Sequence, residues 1–321
     1  CVGPAAPGTL RDVSWLRAVG LTAGLFGGGV IGEALAERRD RLRFPPPGRF
    51  VSSRGKRLHV VDRGSGSPVV VMDASLGAWS SHWALVAEAL ADHTRVICYD
   101  RAGLGWSEGS GETRDLASMA EDLQTVIEEL VDDEPVVLVG HGLGALACHR
   151  VAASSPIDAL VMVDTFPADF NGALVLPTLP VATAADGELK HLMGVSRVSE
   201  WLRGRGDDVD VIASLTLQRS VRQAIAHERQ TVISKADGEA LLQPLSVPLR
   251  VVHSSRPFGR KEPNDYSFRW YAANEKLSTQ SEDCMHFVIR DCDHWIPLHR
   301  PDAVVEPVRA LLNKLRRAPS G

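Results

Sequence analysis

The sequence predicts an α/β fold, a mostly parallel central sheet flanked by helices, with a helical cap inserted into it and an apolar helix in front. Three observations carry this. Short, near-continuous apolar runs such as 68–73 and 135–140 match parallel strands covered on both faces. Amphipathic stretches lie between them; Leu116–Leu130 has apolar residues at helical spacing and acids on the outer face. From 166 to 247 this alternation stops, and helix-like segments around Glu188–Leu202 and Val221–Leu242 mark the cap.

At 321 residues the chain has room for one large domain and a small extra element, and its apolar share of 44% suits a soluble core. The net charge of −5, with both signs interspersed, offers no patch for phosphate backbones and excludes nucleic acid as a partner. The five cysteines are odd in number and lack paired metal-site spacing. Cys284 and Cys292 bracket an apparent strand that would hold them roughly 25 Å apart, beyond disulfide reach. Reduced thiols fit a cytosolic setting.

The first element is an apolar segment. Ala18 to Gly32 carries no charge but is only ~22 Å long as a helix, against ~30 Å of hydrocarbon. Trp15, Leu16 and 34–36 extend it, with Arg17 and Glu33 near its ends, so a membrane helix is expected over about 15–36. Gly20, Gly24, Gly28 and Gly32 recur every four residues, the pattern of a close-packed helix dimer and also of a weak membrane segment. Arg38, Arg39, Arg41 and Arg43 outnumber Arg11 and Arg17, which predicts a membrane-anchored protein with its main domain cytoplasmic. The alternative is secretion after signal cleavage behind Ala34-Leu35-Ala36. Pro45-Pro46-Pro47-Gly48 then forms a stiff linker, dividing an N-terminal segment, 1–43, from a main domain, 44–321, with the cap at about 166–247.

In the main domain, strands are expected at 57–62, 68–73, 94–100, 135–140, 159–164, 249–253 and 285–290. The fourth runs into Gly140-His141-Gly142-Leu143-Gly144 and a small-residue helix from Ala145. This is the strand-turn-helix elbow Gly-x-Ser-x-Gly, whose strained turn exposes a central serine. Both flanking glycines are present, and Gly142 stands where the nucleophile should be.

Together with this elbow, four further stretches resemble the α/β-hydrolase superfamily over roughly residues 50–315, and most closely its membrane-anchored actinobacterial-type branch. They are the Pro45–Pro47 linker, Arg57-Leu58-His59-Val60, Asp100-Arg101-Ala102-Gly103-Leu104-Gly105-Trp106-Ser107, and Asp293-His294-Trp295 followed by Arg300-Pro301-Asp302. The resemblance implies a Ser-His-Asp/Glu triad that hydrolyses ester, amide or related bonds with no metal or organic cofactor.

By position in that fold, His294 matches the general base, in the loop between the last strand and a helix opened by Pro301. After the strand ending at His253, where many relatives carry the acid, this chain reads Ser254-Ser255-Arg256-Pro257. Asp164 matches the alternative acid position, and a turn-capping aspartate would look the same. The oxyanion donors correspond to the backbone N–H groups of Leu143 and Ser75, although Asp73-Ala74 replaces the His-Gly common in relatives. No side chain is expected to replace the missing serine. Cys148 lies roughly 240° round the helix and ~9 Å deeper, and His149 is two turns down. The Ser75 hydroxyl is read as a loop serine turned to solvent or backbone. Asp291-Cys292-Asp293-His294 is not read as a metal site, because consecutive loop residues seldom converge on one ion.

Three functional readings follow. One is a catalytically impaired relative binding a small apolar or acyl-type molecule under its cap. Another is an enzyme working through a His294–Asp164 base dyad, of lyase or cofactor-free oxygenase type. The last is an inactivated variant of a working hydrolase, since Ser and Gly codons can differ by one base.

Overall fold

The computed structural model describes residues 31–109 apart from 33, 37 and 41, together with residues 114–166, 219–231, 244–256 and 265–317. The chain divides into two compact units, residues 1–45 with 181–219 and residues 46–180 with 220–321. In the first, the described residues between 31 and 43 are mainly helical, with Ile31, Leu35 and Leu42 exposed. The expected membrane helix at about 15–36 lies mostly outside the described residues, as does the cap segment Glu188–Leu202. Among the described residues no helix is long and apolar enough to cross a membrane.

The second unit is an eight-stranded sheet: β1 (Arg49–Ser53), β2 (Lys56–Arg63), β3 (Val69–Asp73), β4 (Val96–Tyr99), β5 (Val136–His141), β6 (Ala159–Val163), β7 (Leu249–Ser254) and β8 (Cys284–Ile289). The spatial order is β1-β2-β4-β3-β5-β6-β7-β8. The β1–β2 and β2–β4 pairs are antiparallel, and every pair from β3 to β8 is parallel. All seven predicted strands are present with ends shifted by one or two residues. The additional strand, β1, reads as loop in the sequence because it is a short edge strand whose Arg49 and Phe50 are exposed.

Helices α1 (Ala84–Ala91), α2 (Leu116–Leu130), α3 (Leu143–Ser154), α4 (Arg219–Thr231), α5 (Asp265–Leu277), α6 (Ile296–His299) and α7 (Asp302–Arg317) accompany the sheet. Alternation along the strands assigns two cores. Val69 and Val71 of β3 and Leu138 of β5 pack with Leu123 and Val126 of α2 and Ala145 and Val151 of α3. Val70, Met72, Val137 and Val139 point the other way, onto Val86 and Leu90 of α1 and Val304, Val308 and Leu311 of α7. Burial of each such side chain stabilises the fold by roughly 1.5–3 kcal/mol, which is why both strand faces must be apolar.

The α2 boundaries match the sequence pattern. Asp115 caps the helix by accepting from the Ser118 N–H at 2.8 Å. One of its acids departs from the expected outer face: Asp122 is buried, paired with Arg114 and within 3.4 Å of the Ser53 hydroxyl. An amphipathic pattern cannot distinguish a solvated carboxylate from one that meets a partner across the interface.

The elbow helix begins at Leu143, two residues earlier than the sequence suggests. At Gly140, a Cβ would stand 2.4 Å from the Ala145 Cα and 2.6 Å from the Gly144 carbonyl oxygen. Backbone therefore meets backbone where β5 turns into α3. Gly140→Ala is expected to cost at least about 3 kcal/mol by urea unfolding. Gly109→Ala, with nothing within 4 Å of the added Cβ, should stay within about 0.5 kcal/mol.

Candidate active site

Strand order reverses about β3, whose neighbours are β4 and β5, and in open parallel sheets this topology directs the search for a ligand site to the carboxyl ends of β3 and β5. In their register Asp73 faces Gly140. Two residues further along the chain from each, just beyond the strand ends, stand Ser75 and Gly142, side by side. Gly142 holds the turn with φ +53°, and its N–H bonds the Val163 carbonyl at 2.9 Å. A Cβ built on it would lie 2.1 Å from Ser75 Oγ and 3.1 Å from His294 Cε1. The space of the missing side chain is taken by the Ser75 hydroxyl.

Ser75 Oγ lies 2.9 Å from His294 Nε2, and His294 Nδ1 lies 2.8 Å from Asp164 Oδ2. A carboxylate only accepts, so Nδ1 carries the hydrogen and Nε2 accepts from the serine O–H. The reading of Ser75 as a loop serine turned to solvent or backbone is thereby corrected. That reading treated the loop in isolation, whereas the β3–β5 register aims the hydroxyl at the histidine. Leu143 opens α3, where the first N–H groups have no intrahelical acceptor.

Asp164 follows β6 with φ +44°, in the left-handed region that costs a non-glycine residue energy. Its carboxylate also accepts from the Ser254 N–H at 2.9 Å, the Ser254 hydroxyl at 3.0 Å and Trp270 Nε1 at 3.0 Å. Ser254 thus occupies the end of β7 as a donor to the acid on the neighbouring strand. The His294 ring stacks on Phe166 at 5.5 Å and meets the edge of Trp270 at 5.6 Å. Ser254, Trp270 and Phe166 carry no local sequence signal of this role.

The loop bearing Ser75 is held from below by Arg101, only 1% exposed. Its guanidinium donates to Asp73, to the Ala74 carbonyl and to the Ser75 carbonyl at 2.9 Å. Glu228 of α4 accepts from Arg101 Nε at 2.7 Å and Nη2 at 3.0 Å, and from the Gly77 N–H at 3.0 Å. Tyr99 donates to Asp73 at 2.9 Å. Asp73 is therefore a buried partner of Arg101 and Tyr99. Arg101 lies within the Asp100–Ser107 run that the sequence singles out, but Glu228 is separated from it by 127 residues.

The other residues weighed from sequence point elsewhere. Cys148 is buried, and burial pushes its thiol well above the ordinary range. His149 is buried against Gln280 at 2.9 Å. In the 291–294 run, Asp291 pairs with Arg256, while Asp293 accepts from the Trp295 N–H and contacts His299 Nδ1 at 2.8 Å. Among the described residues no three His, Cys, Asp or Glu side chains gather as metal ligands.

Two neutral histidines stand around the site. His141 Nε2 donates to the His294 carbonyl at 2.8 Å, and burial, then the nearby His294, holds its pKa well below 6.5. Burial likewise lowers His82, beside Trp295, to about 4. Each must charge in the unfolded chain before it does so in the fold, so stability is complete above pH ~6.5 and declines as pH falls toward ~4. His82 alone accounts for on the order of 3 kcal/mol of that decline. Urea midpoints measured from pH 7 to 4 should fall across this window. Glu228→Ala, which leaves part of a buried ion network unpaired, should cost about 3 kcal/mol and lower the melting temperature at pH 7.

A family model described as "Alpha/beta hydrolase family" matches residues 64–306. A putative carbamate hydrolase of Agrobacterium fabrum is 32% identical over 103 residues, covering 31% of this chain and 39% of that protein. A cis-3-alkyl-4-alkyloxetan-2-one decarboxylase of Shewanella oneidensis is 32% identical over 141 residues, 42% of each chain. These alignments thus span about two fifths of each relative. A putative esterase/lipase of Haemophilus influenzae is 22% identical over 263 residues, 80% of this chain and 88% of that one. Among solved structures, the enol-lactonase of Burkholderia xenovorans superposes with a TM-score of 0.64 at 18% identity, covering 83% of this chain and 100% of that one. With the match to residues 64–306 spanning most of the sheet and every described residue of the site, the chain belongs to the alpha/beta hydrolase family.

Proposed function

We propose that the chain is a hydrolase of small carboxylic esters or related acyl compounds, with His294 as the general base and acid and Asp164 as the group that orients it. The observation that carries this reading is the 2.8 Å contact from His294 Nδ1 to Asp164, which leaves Nε2 facing a hydroxyl at 2.9 Å. In that arrangement the carboxylate selects the tautomer and stabilises the imidazolium formed when Nε2 takes a proton. The names of the relatives, carbamate hydrolase and esterase/lipase, point to the same acyl chemistry. The purely ligand-binding reading rests on Gly142 alone. A site kept only for binding does not require a buried acid with φ +44° held by Ser254 and Trp270.

Esters would bind with the carbonyl oxygen toward the Leu143 N–H at the start of α3, where the helix dipole favours developing negative charge. Hydrolysis of p-nitrophenyl acetate by the purified full chain is the direct measurement. His294→Ala should lower kcat by at least about 10³-fold, and Asp164→Asn by about 10³- to 10⁴-fold through loss of the correct tautomer. Turnover unchanged in both variants would overturn the assignment of His294 and Asp164, and no turnover by the unaltered chain would leave ligand binding as the function.

A further inference from the structure

We infer that the nucleophile has moved from the elbow after β5 to the loop after the neighbouring strand β3, so that Ser75, His294 and Asp164 form the working triad and Gly142 is the space that admits it. This rests on the hydrolase reading above and names the residue that carries its covalent step.

Three observations meet at Ser75. Its Oγ is 2.9 Å from His294 Nε2, the distance at which a serine passes its proton to a base. It lies 2.1 Å from where a Gly142 Cβ would stand, so the hydroxyl occupies the volume of an elbow serine's own side chain. Its loop is clamped: Arg101 bonds the Ala74 and Ser75 carbonyls, and Glu228 bonds the Gly77 N–H. A nucleophile needs such fixed placement, and a triad is recognised by geometry and roles, not by position in the chain.

A serine at 142 and a serine hydroxyl in the present position at 75 exclude one another. With a side chain at 142 the hydroxyl of Ser75 must leave His294; with glycine at 142 the strained turn carries no side chain and the base is free to serve Ser75. The pair Ser75/Gly142 is in this sense the reciprocal of a serine at the elbow facing a small residue on the loop.

The chemistry balances with water as the only co-reactant. Ser75 Oγ bonds the acyl carbon as its proton passes to His294 Nε2, and the carbonyl electron pair moves to the oxygen facing the Leu143 N–H. Collapse breaks the bond to the leaving alcohol, which takes the proton from Nε2. Water then adds to the acyl-enzyme with the same base, releasing the carboxylic acid and restoring the Ser75 hydroxyl.

A fluorophosphonate probe, followed by peptide mass mapping on the full chain, tests this directly. The adduct is expected on Ser75, and its absence from the Ser75→Ala variant is the matching control. Ser75→Ala should reduce p-nitrophenyl acetate turnover by at least about 10³-fold. Gly142→Ser alone should also lose labelling at Ser75, because the new side chain displaces that hydroxyl from His294. The double variant Ser75→Gly/Gly142→Ser should regain turnover, with the adduct moved to the elbow peptide. If the unaltered protein turns over ester in a His294-dependent way but takes no label on Ser75, with Ser75→Ala still active, the moved nucleophile is overturned and direct attack by water under the His294–Asp164 pair stands. If no ester turnover and no adduct occur at all, both readings fall.

Discussion

The parallel register between β3 and β5 is the constraint on which the site depends. Asp73 opposite Gly140 sets two loops leaving adjacent strands at the same height, so the second residue beyond each pair becomes a neighbour. The β5–β6 register then brings His141 level with Val163, and Asp164 follows at once on β6. A slip of one residue in either pairing would invert which strand faces meet α2 and α3 and which meet α1 and α7, at the cost of both apolar cores. The positions of Ser75, Gly142 and Asp164 are thus secured by core packing on the faces of the sheet, at a distance from any chemistry.

Polar groups complete what the register begins. Asp164 draws Ser254 from β7, Trp270 from α5 and His294 from beyond β8 onto a single carboxylate. Arg101 does the same on the other side, joining the β3 loop to α4 through Glu228. Both networks are buried, and in a medium of low dielectric each partner's removal leaves a charge or donor unanswered. That cost makes the two networks rigid supports for the loop and for the histidine between them. The aromatic rings of Phe166 and Trp270 against His294 add shape to the same restraint.

The fold class, seven of the strands and the α2 boundaries were legible in the sequence, because apolar periodicity reports burial directly. Gly140, Gly142, Asp164, Leu143 and His294 were legible as positions in a recognised pattern. Ser75 was legible as a loop residue near the pocket, but its side-chain direction was not, since it follows from a strand pairing between segments more than 60 residues apart. Asp122 shows the same limit on a smaller scale: its helical position implies solvent, and Arg114 and Ser53 bury it.

Sequence by itself determined that an elbow exists, that its centre is glycine, and that a histidine and an aspartate stand at positions able to form a base pair. These are local properties, written in glycine spacing, strand composition and chain order. Only the tertiary structure decided what fills the gap at Gly142 and what holds the filler in place. Ser75, Arg101 and Glu228 are far apart along the chain, and their meeting depends on sheet register and on the burial of charge, neither of which any short segment contains.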